Sequence, residues 1–192
     1  MKKISITFLS LFLLISTVRL NAQLTISNVT LPANLKMGNT TLVLNGGGTR
    51  VKFFMDMYVA GLYLPAKSSD ANAIINANDA TSVRLNIVSG LVTTDRMKEA
   101  IIEGFKKSTG GKTAPIQAKI DKFVNLFSLE PITKGNLFEL NYTPGVGLVV
   151  AKNGKIIATI EGLDFKTALW GIWLGSDPAD KGLKEGLLGG KK

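Results

Sequence analysis

The 192-residue chain has no cysteine and no histidine. Without cysteine there are no thiol nucleophiles, no thiolate zinc sites, no disulfides and no cysteine to carry a lipid. Without histidine, the usual general base near neutral pH and the commonest metal ligand are both missing. Any proton transfer must use tyrosine, lysine, a carboxylate or water. Neither a cofactor nor a metal is expected. Long apolar runs are scarce as well: residues 4–18 fall short of the ~20 residues that a membrane-spanning helix needs, and no later run is longer. Blocks of like charge are absent too. The net charge of +9 is spread along the chain, whereas a nucleic-acid face gathers its basic residues and interleaves aromatics, so no nucleic-acid partner is expected. Such a charge suits an anionic small ligand or an anionic membrane surface equally well.

Lys2 and Lys3 precede the apolar run, and Leu20, Asn21 and Ala22 close it on a small residue suited to cleavage. Residues 1–22 are therefore expected to be a secretory signal peptide. The mature chain, residues 23–192, is expected to be a soluble periplasmic or secreted protein with no stable membrane anchor. Cleavage removes Lys2, Lys3 and Arg19 and no carboxylate, so the net charge falls from +9 to +6. The 170 residues left suit one domain with a sizeable core.

Periodicity gives the order of elements. Residues 23–39 suit one or two short edge strands ending near Pro32. Residues 42–45 and 51–64 suit two longer strands, and Gly46, Gly47 and Gly48 between them suit a tight turn. Asp70 or Ser69 can cap a short helix over 71–77, and 82–88 alternates as a strand with Val83, Leu85 and Ile87 on one face. Thr93 or Thr94 can cap a longer helix whose Met97, Ala100, Ile101, Gly104 and Phe105 share a face. A further helix over 115–127 carries Ile116, Ile120, Phe123 and Phe127 on one stripe. Three antiparallel strands follow near 138–142, 147–151 and 156–160, the last two joined by Asn153-Gly154, which favours a turn with positive φ at both positions. The chain closes with a helix striped by Phe165, Ala168, Leu169, Ile172 and Trp173, and a last one over 178–188 capped by Asp177. This order predicts an α+β fold, a large antiparallel sheet covered by helices on one face.

Few residues carry chemistry. The three glycines lack the spacing of a phosphate loop and precede a strand rather than a helix. Glu99 with Glu103, and Asp177 with Asp180, have helical spacing but fall on polar faces or at caps, which argues against an acid/base pair. Arg50 and Tyr58 stand inside apolar segments. Taken alone, Arg50 suits a solvated strand end and Tyr58 a core tyrosine with a partnered hydroxyl. Of the two tryptophans, Trp173 falls on the buried stripe and Trp170 off it, at a ligand mouth, a protein contact or an ordinary half-buried position.

Several stretches together resemble the chalcone isomerase-like superfamily. They are Leu44-Asn45-Gly46-Gly47-Gly48-Thr49-Arg50, Met57-Tyr58-Val59-Ala60-Gly61-Leu62-Tyr63-Leu64, Val88-Ser89-Gly90, Ile120-Asp121-Lys122-Phe123, and the closing residues 168–175 and 178–188. The resemblance implies an open-faced β-sandwich of chalcone isomerase type, with a ligand cleft between sheet and helices. In plant chalcone isomerases an arginine after the glycine-rich stretch fixes the substrate oxyanion, and Arg50 matches it. Tyr58 stands where those enzymes have a threonine. Their catalytic tyrosine and asparagine lie on a helix that has no counterpart between Lys107 and Pro115, and their late hydroxyl falls near Lys166 or Thr167. An arginine paired with a tyrosine resembles instead the fatty-acid-binding branch. The resemblance thus implies non-catalytic binding of a fatty acid or similar apolar carboxylate, held by Arg50 and Tyr58. Met55, Met57, Phe105, Phe123, Thr167 and Trp170 are the candidates to contact the rest of the ligand. The alternative is an intramolecular lyase or isomerase that uses Arg50 to stabilise an oxyanion. An Arg50 paired with an internal carboxylate over a filled cleft would instead mark a vestigial site.

Overall fold

The computed structural model describes residues 23–190; the expected signal peptide lies outside the described residues. A short hairpin, β1 (Leu24–Ile26) and β2 (Val29–Leu31), precedes a seven-stranded antiparallel sheet. Its strands run in chain order: β3 (Asn34–Met37), β4 (Thr40–Lys52), β5 (Met55–Leu64), β6 (Thr81–Ile87), β7 (Leu137–Thr143), β8 (Gly147–Lys152) and β9 (Lys155–Ile160). Five α-helices, α1 (Ala71–Asn76), α2 (Thr94–Ser108), α3 (Gln117–Leu126), α4 (Leu163–Leu174) and α5 (Lys181–Leu187), build the helical layer, with one 3₁₀ turn at Ala114–Ile116. This is the expected α+β architecture. Among the described residues, no helix is long and apolar enough to cross a membrane.

Period-2 burial explains the sheet. Val83, Leu85 and Ile87 on β6 and Phe138, Leu140 and Tyr142 on β7 are buried against the helices. Leu31 and its neighbours on the first hairpin cover part of the opposite face, packing with Leu42, Leu44, Val59 and Tyr63 in a second, smaller cluster. The region read as one or two edge strands therefore forms three.

The largest departure concerns the glycines. Gly46, Gly47 and Gly48 do not turn the chain; they lie inside β4, and the hairpin turns at Phe53 and Phe54. The glycines serve close approach on both faces. A Cβ on Gly46 would meet backbone oxygens of Gly186 and Leu187 in α5, and one on Gly47 would strike Leu31 from the other side. Helix and strand backbones can therefore approach almost to contact.

The helix ends follow ordinary capping chemistry. The Asp70 side chain accepts from Ala73 N–H at the start of α1, and Thr93 accepts from Arg96 N–H at the start of α2. The last helix is capped by Asp180, not by Asp177: Asp180 Oδ1 accepts from Leu183 N–H at 2.8 Å, whereas Asp177 faces Lys107 at 3.4 Å. Helix α4 is buried on nearly every side, because it packs against α1, α2, α5 and β8 at once. Even Lys166 is enclosed there, donating to Ile74 O, Ile75 O and Ala77 O at 2.7, 3.0 and 2.9 Å, at the end of α1.

Candidate functional site

Arg50 and Tyr58 are directly opposed across β4 and β5. Pairing out of the Phe53-Phe54 turn starts with Lys52 opposite Met55 and Val51 opposite Asp56, then skips Met57 to set Arg50 opposite Tyr58. Met57 is the extra residue of a β-bulge. Without it, Arg50 would face Met57, so the bulge brings the cation and the phenol together. The guanidinium carbon lies 5.8 Å from the centre of the Tyr58 ring, within cation–π range.

Helix α4 completes the cluster. Trp173 Nε1 donates to the Tyr58 hydroxyl at 2.9 Å. An indole nitrogen can only donate, so Tyr58 accepts there and keeps its own proton for another acceptor. Burial pushes the phenol pKa up, against the opposing influence of Arg50 and of the Trp173 hydrogen bond. At neutral pH the hydroxyl is therefore a donor and not a base.

Arg50 is half-buried, and among the described residues it has no ion pair. Glu99 and Glu103 line the same groove as Arg50 without pairing with it, and the oxygens of Asp180 accept from the Val51 N–H at 3.1 Å and the Leu183 N–H at 2.8 Å. Its hydrogen bonds go to the backbone. The internal pairing that would mark a vestigial site is not made.

Two cavities meet at Arg50 and Tyr58, sharing Met97 and Ala100 of α2 as a wall. The inner one, between sheet and helices, is lined by Leu85, Ile101, Phe123, Phe127, Leu140 and Leu169 among others and encloses about 30 Å³. That is room for a few water molecules at most. The outer groove encloses about 430 Å³ and runs past Met55, Met57, Leu91, Val92 and Phe53. Its size falls within the ~300–1,000 Å³ of small-molecule pockets.

Of the candidates named from sequence, Arg50, Tyr58, Met55, Met57 and Phe123 line one or both of these cavities. Phe105, Trp170 and Thr167 line neither. Phe105 is closed in the core between Phe123 and Phe165, with ring centres at 6.2 and 5.4 Å. Trp170 is wholly buried, because α4 is covered on all but the side of Asp164 and Thr167, so its place off the predicted stripe does not put it at a mouth. Thr167 donates to Ile75 O at 3.3 Å and borders a different surface pocket, with Asn72 and Pro115. Met97 and Trp173 are the cluster members that sequence reasoning left in the core. The available signal was chemical: a buried indole N–H needs an acceptor, and Tyr58 was a polar atom in an apolar strand without an assigned donor.

A family model described as chalcone isomerase-like matches residues 23–189. No curated protein matches the chain. Among solved structures, the crystal structure of an Arabidopsis thaliana fatty-acid binding protein is similar to this chain with a TM-score of 0.70. The two are 20% identical, over 87% of this chain and 96% of that one, so the likeness is one of fold.

Proposed function

The chain belongs to the chalcone isomerase-like family, and we propose that it binds a fatty acid or similar apolar carboxylate without converting it. The observation that carries this reading is the pairing of an uncompensated Arg50 with a Tyr58 hydroxyl whose proton is unspent, at the head of an apolar groove. A carboxylate there would take a charge-assisted, bidentate hydrogen bond from Arg50 and a further one from Tyr58. The fold shared with a fatty-acid binding protein supports the same assignment. A phenol kept protonated by burial suits anion binding better than proton abstraction, which favours this reading over an isomerase that moves protons through Tyr58.

Magnitudes divide the labour. A charged hydrogen bond contributes ~1.5–3 kcal/mol net, while each buried methylene contributes ~0.8 kcal/mol. The tail supplies most of the affinity and Arg50 sets orientation. In this reading residues 1–22 direct export, and residues 23–192 act as one ligand-binding domain in the periplasm or outside the cell. Solvent extraction and mass spectrometry of the purified protein should recover a bound carboxylate. Titration with fatty acids of increasing length should show affinity rising with length, and Arg50→Ala should weaken it at least tenfold. Protein that carries no lipid and binds fatty acids equally well after Arg50→Ala would overturn the assignment.

A further inference from the structure

Among the described residues, three two-residue turns that join paired strands have positive φ at both positions: Ser27-Asn28, Phe53-Phe54 and Asn153-Gly154. Two of them use the small polar residues and glycine that tolerate the left-handed region. The third uses two phenylalanines, at φ 54° and 61°, for which that region is a genuine outlier. Neither ring is buried in return. Phe53 is 76% exposed and Phe54 wholly so. The turn thus holds two large apolar side chains in water on a strained backbone, and strain of this kind points to a role for the side chains it presents.

The surroundings extend the patch. Val51 and Met55 flank the turn with exposed side chains, and Leu91, on the loop before α2, is exposed on the same groove. The other exposed large apolar residues, Ile102, Leu129, Val146 and Ile156, lie singly on separate parts of the chain. Cations accompany the aromatic tip: Lys52 Nζ lies 5.4 Å from the Phe53 ring centre, and Arg96 donates to Leu91 O at 3.1 Å. Glu99 and Glu103 line the groove one and two turns further along α2. Lys52 is thus the charged residue at the tip itself, with Asp56 and Asp180 one step behind it at Val51.

We propose that the β4–β5 tip docks the protein reversibly on an anionic membrane surface, with Phe53, Phe54 and Leu91 entering the interface and Lys52 and Arg96 facing lipid headgroups. Aromatic side chains beside cations are the residues that settle at a bilayer interface. The net positive charge of the chain favours the same partner. Phe53 and Lys52 also line the groove that leads to Arg50, so docking would open that groove toward the lipid phase. This goes beyond ligand binding, since it assigns a partner to a surface outside the Arg50–Tyr58 pair.

The test is co-sedimentation of the purified protein, produced from the full chain, with vesicles of phosphatidylglycerol and phosphatidylcholine or of phosphatidylcholine alone. Wild type should partition onto the mixed vesicles and at least tenfold less onto phosphatidylcholine. Phe53→Asn with Phe54→Gly, a pair suited to this turn, should lower partition onto the mixed vesicles at least tenfold in a protein that stays folded by circular dichroism. Lys52→Glu should weaken it in a salt-dependent way. Equal partition of the tip variant and wild type, or none by wild type, would overturn the proposal. So would a wild-type dimer in gel filtration that the tip variant converts to monomer without vesicle binding, because the tip would then join two copies. Arg50→Ala should keep its vesicle partition, which separates failure of the docking surface from failure of the ligand site.

Discussion

Trp173 on α4 holds the hydroxyl of Tyr58 on β5 through a 2.9 Å hydrogen bond between residues 115 positions apart. The bond fixes which way the phenol points and directs its unspent proton away from the indole. Tyr58→Phe leaves a buried indole N–H without an acceptor, and Trp173→Phe leaves the hydroxyl without its donor. Each should destabilise by about 1–3 kcal/mol in chemical denaturation. The double variant should cost less than the sum, by about 1 kcal/mol. A cycle that closes with no coupling would show that the bond does not form in solution.

The contact of β4 with α5 depends on glycine on both sides. A Cβ on Gly186 would lie 2.6 Å from Gly47 O, and one on Gly46 would collide with Gly186 O. Neither neighbour can yield, because both are backbone atoms. Gly46→Ala and Gly186→Ala should each cost about 3 kcal/mol, the upper part of the usual range for overpacking. That corresponds to a fall of roughly 6–12 °C in Tm for a domain of this size. Gly90→Ala is the control: nothing lies within 4 Å of its Cβ, so Tm should stay within about 1–2 °C of wild type.

These glycines also show what was legible in the sequence. Asn153-Gly154 was readable as a turn because local preference and tertiary need coincide there, and φ of 52° and 79° follow. At Gly46 to Gly48 they diverge. Glycine is the strongest local turn signal and phenylalanine a strong strand former, yet the chain turns at the phenylalanines and extends through the glycines. The cause is a helix more than 130 residues later, which no local pattern reports. Arg50 and Tyr58 were identifiable as polar groups in apolar strands, but their opposition rests on that displaced turn and on the bulge at Met57. Trp170 is misplaced for a related reason: a stripe presumes one buried face, whereas α4 is buried all round except near Asp164 and Thr167.

The strain at the hairpin tip predicts an unusual result for stability. A non-glycine residue in the left-handed region costs roughly 1–2 kcal/mol, and Asn-Gly adopts the same turn with little cost. Phe53→Asn with Phe54→Gly should therefore raise stability by about 1–3 kcal/mol, or Tm by roughly 2–12 °C, while removing the apolar tip. A fall in Tm would mean that the rings contribute to the fold, and the backbone argument for a surface role would fail.

Lys166 gives the fold a distinctive alkaline behaviour. Burial lowers its pKa from the ordinary 10.5 to about 8, with Asp79 opposing, while the ammonium remains bonded to three carbonyls at the end of α1. Below pH 8 the amine is protonated whether the chain is folded or not, so it contributes no pH dependence. Between pH 8 and 10.5 the unfolded chain binds the proton more readily, so stability rises with pH. The tyrosines act in the other direction but later: Tyr63 is pushed up to about 12, mainly by burial, so its contribution is intact below 10 and is lost as pH rises through 12. Denaturant titrations from pH 7.5 to 9, below the range in which the tyrosines of the unfolded chain ionise, should therefore show wild type gaining stability, with a slope approaching about 1 kcal/mol per pH unit. Lys166→Met should be flat over the same range, so the difference between the two should move in favour of wild type as pH rises. Parallel profiles would mean that the three carbonyls hold the ammonium charged through this range, and that burial does not lower its pKa.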